Sequence, residues 1–352
     1  MISEFAAGRR GPTSIHPGIL DAVTAVYHAL FGLMAALPQP PDPANPFSTV
    51  RAAGLPPPPL SFLRHDSSAP RLSLPFALPP TVDVSPLGRL RDALALSPFE
   101  TALLALALLP ELDARAQVAI AYLQGDLDSW HARPTLSLAL RLFAPDDPDL
   151  LWGLRVLEPE APLRVWDLLA PPPDTTTALQ RRLRVEPALL WSLLGDDAFA
   201  REIAGLVFLE PTADAAVAFS DALPTPLDPS RSAGGVIMLY GGAEPAARAM
   251  ARAAARIRGQ DLLLIDGAGL VRSGEDGPRL LRRCLREALL RGLLPCVHAG
   301  ALLVRRAAHD PLAYRRVLDA SPCSVLLLDG GGDGPAARGV ARGRPIVARL
   351  DS

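Results

Sequence analysis

The chain of 352 residues contains no lysine, and its single asparagine is Asn45. All positive charge rests on arginine, and the prominence of alanine, leucine, arginine and proline is the signature of a GC-rich coding sequence. A lysine essential to chemistry would survive such drift, so its absence at one defined position still carries information. Cysteine is also scarce. Cys284, Cys296 and Cys323 are odd in number and lack C-x-x-C spacing, which points to neither a disulfide framework nor a zinc site. A reducing cytoplasm is the expected compartment. The most apolar stretch, residues 94–112, contains Pro98, Glu100 and Pro110 and falls short of the roughly 20 apolar residues that span a bilayer. No charged region followed by an apolar core opens the chain, so no signal peptide is read. A net charge of −2 provides no general electrostatic footprint for nucleic acid or an anionic membrane.

What is present is 49% hydrophobic residues, enough for a sizeable core, in a length that suggests about two domains at roughly 100–200 residues each. Residues 1–84 read as an N-terminal helix over 17–37 followed by a proline-rich linker, since the clusters at Pro56 to Pro59 and at Pro79 and Pro80 forbid helix. Residues 85–200 read as a winged-helix-like domain. Its first helix opens on Ser97, Pro98, Phe99 and Glu100, a capping-box start with proline at the first helical position, and runs to Leu109. Helices over 114–123 and 135–143 follow, and then two β-like segments, 163–168 and 182–185. Three helices before a strand-loop-strand pair is winged-helix order. Residues 201–233 read as a linker.

In residues 234–352, apolar strands at 236–240, 262–265, 294–297, 325–328 and 346–350 alternate with helices at 245–257, 278–290 and 311–318. This implies a parallel sheet covered on both faces, with any ligand at the carboxyl ends of the strands. The expected fold class is thus mainly-α plus α/β, a winged-helix-like domain followed by an αβα domain of P-loop NTPase type.

The segment from Tyr240 through Gly241, Gly242, Ala243, Glu244 and Pro245 to Arg248 leaves a strand and enters a helix, the context of a phosphate loop. G-x-x-x-x-G-K-[ST] then demands glycine at Ala246, lysine at Ala247 and a hydroxyl at Arg248, and none is there. Pro245 removes an N–H from the cradle, and Glu244 brings a carboxylate to the place of the phosphates. Each charge-assisted bond lost is worth roughly 1.5–3 kcal/mol. The loop reads as vestigial. His298 stands where a magnesium-holding acid is expected, and imidazole is a poor magnesium ligand. Asp329 and Asp266 are the other acid candidates, unless both simply end strands and cap the next turn.

Several motifs carry a family resemblance: Leu96 to Glu100 as "LSPFE", Pro110 to Asp113 as "PELD", Tyr122 to Asp126 beside "YLQDD", and Arg133 to Leu142 beside "RPTVDLALRL". With 161–164, 183–185 and Leu193, Leu194 and Gly195, they resemble the N-terminal part of AAA+ ATPases encoded with extracellular contractile injection systems, over about residues 85–350. The resemblance implies a winged-helix domain before a degenerate first ATPase-like module, with the intact module beyond residue 352. ATP and magnesium are expected only in that further module. For this chain it implies no cofactor, no metal, no catalytic residue and no ATP hydrolysis. Only Gly241 aligns with a phosphate-loop glycine.

The resulting expectation is a non-catalytic docking or ring-organising segment with protein partners, either particle components or other ring subunits. The alternative is a winged-helix DNA-binding regulator with a vestigial nucleotide-binding domain. Its third helix offers Ser137, Arg141 and apolar residues, with Asp146, Asp147 and Asp149 just after, and acids there oppose phosphate contact. Neither nucleic acid nor membrane is an expected partner. Cys296, His298 and His309 lack a nucleophile or metal partner in fixed spacing. Arg279, Arg282, Arg283 and Arg286 fall on one face of the 278–290 helix, readable as a solvated face or as an acidic-partner or subunit interface.

Overall fold

The structure, a computed structural model, describes residues 15–36, 78–83, 85–125, 132–143, 153–171, 177–196, 198–212, 235–240, 244–299, 303, 311–329 and 346–349. It forms two compact units, Met1–Asp196 and Asp197–Ser352. Among the described residues no helix is long and apolar enough to cross a membrane.

In the first unit, helix α1 (Pro17–Ala36) buries Ile19, Ala22, Val23, Val26, Leu30 and Leu33, the stripe its helical spacing prescribes. A Cβ at Gly18 would lie 2.2 Å from the Thr81 carbonyl oxygen. The helix is therefore part of this unit's core, pressed onto the 3-10 turn Pro80–Val82. Helix α2 (Pro86–Ala93) is capped by Ser85. Ser97 then opens α3 (Pro98–Leu112): its hydroxyl accepts from the Glu100 N–H at 3.1 Å, and its own N–H donates to Glu100 Oε2 at 2.9 Å. This is the expected capping box. The helix continues one turn past Leu109, because Pro110 sits in its last turn and the Asp113 N–H still returns to the Leu109 carbonyl. Residues 100–110 are all buried, as befits a helix apolar on every side. Helix α4 (Ala114–Gln124), capped by Asp113 and closed by Gly125 at φ 68, and helix α5 (Leu136–Phe143) complete the bundle.

A side-chain clamp sets where α5 starts. Gln124 donates through Nε2 to the Arg133 carbonyl at 3.0 Å and accepts from the Thr135 N–H at 2.7 Å, while Arg133 pairs with Glu111. The expectation for 163–168 fails, because Pro162–Val165 is a short helix, α6. Leu163 and Trp166 are buried three residues apart, a helical spacing, and Asp167 at φ 48 ends the turn. Residues 182–185 are extended, although joined only by isolated antiparallel bridges, Thr135 to Arg182 and Leu169 to Val185. Helix α7 (Pro187–Leu193), capped by Glu186, follows.

The second unit is built on a six-stranded sheet in the order β1-β3-β4-β5-β2-β6. The strands are β1 (Val207–Glu210), β2 (Gly235–Tyr240), β3 (Leu262–Asp266), β4 (Leu294–His298), β5 (Ser324–Asp329) and β6 (Ile346–Arg349). Strands β2 to β6 pair in parallel, but β1 runs antiparallel to β3. The sheet is mixed where a wholly parallel one is expected. Strand β1 lies inside the stretch read as a linker, and its four residues before Pro211 are too few to signal a strand by periodicity. Alternate side chains on each strand point to opposite faces. Ile237, Leu239, Leu262, Leu264, Leu294, Cys296, Leu326 and Leu328 thus share a core with Ala247, Met250, Ala251, Ala254 and Ala255 of α8 (Glu244–Ile257). Helices α9 (Gly267–Arg272), α10 (Gly277–Arg291) and α11 (Pro311–Asp319) follow β3 and β4.

Replacing Ser97 with alanine should cost about 1 kcal/mol. A lowered urea midpoint at unchanged slope is the expected result, and an unchanged midpoint contradicts the capping account.

Candidate functional site

The carboxyl ends of the parallel strands are where an αβα sheet of this kind binds ligands. Helix α8 already begins at Glu244, with only residues 241–243 between it and the end of β2. Gly241 and Gly242 lie outside the described residues. Ala246 is an exposed helical residue, whereas Ala247 is fully buried against the sheet. The position at which a phosphate loop needs lysine therefore faces apolar core. Arg248 is turned to Glu210 at the end of β1, and this ion pair holds its guanidinium above the usual arginine range. Arg252 approaches the same carboxylate at 3.8 Å.

The first carboxylate of α8 is also engaged. Glu244 Oε1 lies 2.9 Å from His298 Nε2. Because β5 stands between β4 and β2 in the sheet, this pair reaches over the tip of β5. Asp266 is the register partner of His298 on β3, and it does not cap the following helix. Its carboxylate takes Arg272 Nη2 at 3.0 Å instead. Asp329 ends β5 in register with Tyr240. The backbone around His298 is confined: a Cβ at Gly267 would lie 2.5 Å from its carbonyl oxygen, and Ala299 beyond it is held at φ 54, a left-handed conformation that costs a non-glycine residue about 1–2 kcal/mol. An imidazole and a carboxylate can exchange a proton. No group of three potential metal ligands stands together among the described residues.

The arginine face of α10 is not the solvated surface its helical wheel suggests. Arg279 is exposed and Arg282 half-buried, but Arg283 and Arg286 retain only 4% and 1% of their exposure. Arg283 pairs with Glu202. Arg291 bonds the buried Glu287 at 3.2 Å and the Ala198 carbonyl at 2.9 Å, with its guanidinium 4.4 Å from the Phe199 ring centre. Residues 198–202 thus strap this side of the helix, which no helix-by-helix pattern could reveal.

In the first unit, α5 buries Leu136, Leu138, Ala139, Leu140 and Leu142. Its arginine is spent internally. Arg141 donates to the Leu123 carbonyl at 3.0 Å, and burial lowers its guanidinium below the usual range. Asp146, Asp147, Asp149 and His309 lie outside the described residues. Basic groups that sequence reasoning did not single out, Arg182 and Arg184, are exposed on the extended segment after α6, where alternation places them on one side.

With this geometry in view, residues 80–207 match the family model "Winged helix domain, variant", so that part of the chain is a winged-helix domain. No curated protein matches the chain.

Burial pushes the Cys284 thiol from its ordinary value near 9.0 up to about 12, and it also raises Cys296 and Cys323. The unfolded chain releases these protons first, so stability is full below pH 9 and falls as pH rises toward 12. Native protein at pH 8 should leave the buried Cys284 and Cys296 unreacted with a thiol reagent, so that at most one thiol, the half-buried Cys323, is titrated, while unfolded protein titrates three; rapid native reaction of more than one thiol contradicts this. Arg286→Glu should destabilise by more than about 1 kcal/mol, because it puts a carboxylate at a position only 1% exposed, and by more than Arg279→Glu at the exposed start of the same helix; equal melts contradict this. Ala247→Lys should lower stability without creating nucleotide binding in calorimetry, and a gain of binding would contradict the burial of that position.

Proposed function

We propose that the chain is a non-catalytic docking and organising segment, in which a winged-helix protein-interaction domain precedes a nucleotide-switch-like αβα domain without a phosphate grip. The observation that carries this reading is the pairing of Glu244 with His298 at the sheet's carboxyl edge, beside an Ala247 that is buried where a phosphate loop needs lysine. The order of the parallel strands supports the AAA+ resemblance: counted in chain order from β2, they run fifth, first, fourth, third, second, the arrangement of AAA+-type modules. From that resemblance we infer a role beside a AAA+ ATPase of a contractile, phage-tail-like particle, with hydrolysis supplied elsewhere. Its partners are then particle components or ring subunits, and no cofactor is held here.

A second reading, a DNA-binding regulator, draws on the winged-helix match and on exposed Arg182 and Arg184. It is the weaker one, because a groove-reading helix must present side chains to base edges, and α5 buries most of its residues and spends Arg141 internally.

Purified contractile particles should bind the immobilised chain in surface plasmon resonance, and the chain with magnesium should release no phosphate from ATP. No response as the particle concentration is raised contradicts the docking role. Duplex DNA binding that weakens steeply with salt would instead favour the regulator.

A further inference from the structure

We propose that residues 198–202 form a salt-sensitive latch on α10, whose release lengthens the tether between the two compact units. The winged-helix match ends at residue 207, yet the boundary between the units falls after Asp196. Residues 198–207 therefore belong to the first domain by sequence and are fastened into the second unit by structure. The fastening has two parts. Ile203 is fully buried, and Leu206 packs so closely on α9 that a Cβ at Gly269 would lie 2.6 Å from its Cδ2. Ahead of that anchor the grip is made of charge: Arg283 pairs with Glu202, and Arg291 bonds the Ala198 carbonyl at 2.9 Å with its guanidinium 4.4 Å from the Phe199 ring centre.

The two parts differ in strength. None of residues 198–202 is buried, and Glu202 keeps 57% of its side-chain exposure. An exposed ion pair contributes little and is screened by salt. Opening returns the charged groups of Glu202, Arg283 and Arg291 to water, so it does not carry the penalty of exposing an apolar core. Segments with few buried apolar contacts open locally at low free energy. The turn supplies its own reporters, because Ile203 and Ala204 each donate an N–H to the Ala200 carbonyl at 2.9 Å. While the latch is closed, residue 197 alone separates the first unit from the first held residue, Ala198. Once it opens, with Ile203 still buried, the free stretch is 197–202, which adds at most about 16–18 Å of reach. This inference stands independently of the particle-docking role.

The test follows hydrogen exchange of the full chain by mass spectrometry, at peptides covering 198–206 and at β3 and β4. Raising salt from about 0.01 M to about 1 M shortens the screening length from about 30 Å to about 3 Å. This should speed exchange of 198–206 and leave β3 and β4 unchanged. Glu202→Gln should speed it roughly twofold to fivefold at low salt and remove most of the salt response. Adding Phe199→Ala should bring the total to about tenfold or more, with a larger maximum dimension in small-angle X-ray scattering. Should that second substitution lower the melt, the unaltered chain at high salt takes its place in the scattering measurement. Exchange that responds to neither salt nor Glu202→Gln overturns the proposal. So does exchange of β3 and β4 that rises in step with 198–206, or opening without expansion.

Discussion

The seating of α8 on the sheet is the constraint from which the rest of the second unit's edge follows. Ala247, Ala251, Ala254 and Ala255 fall on one stripe of that helix and meet Ile237, Leu239, Leu326 and Leu328. Small side chains let helix and sheet approach closely, and close packing fixes both the rotation and the axial position of the helix. Once Ala247 is buried, Glu244 is one turn earlier and stands at the sheet's edge, where His298 meets it. Arg248, rotated by about 100° from Ala247, is carried off the apolar stripe toward Glu210. A single packing decision therefore withdraws the lysine position from solvent and directs both neighbouring charges to partners within the protein.

The motifs that carry the family resemblance have structural work in this fold. Ser97 and Glu100 cap one helix, Asp113 caps the next, Glu111 holds Arg133, and Gln124 grips the backbone at Arg133 and Thr135. These are fixings of a helical bundle. Each satisfies backbone or charged groups that would otherwise be lost at helix ends. A resemblance built on them speaks to the architecture of residues 85–143 and carries no chemistry by itself.

Much of the architecture was legible in the chain because its signals are local. The capping box at Ser97, the alternation of β2 to β6 with amphipathic helices, and the burial of Cys296 all follow from short-range pattern. Local pattern misled where a distant segment supplies the environment. Arg283 and Arg286 fall on a polar helical face, yet residues 198–202 cover it. Residues 163–168 hold apolar side chains that suit a strand, but Pro162 and the burial of Leu163 and Trp166 at three-residue spacing favour a turn of helix. At the candidate site, the departures at Ala246, Ala247 and Arg248 were visible, whereas the partners of Glu244 and Arg248 depend on strand order, which sequence periodicity does not encode.

The proposed loss of nucleotide binding rests on the buried Ala247 and on the pairing of Glu244 with His298 at the sheet's carboxyl edge. Isothermal titration of the full chain with ATP and magnesium tests it most directly. The account predicts no saturable heat up to millimolar nucleotide, and saturable binding with micromolar affinity would contradict it.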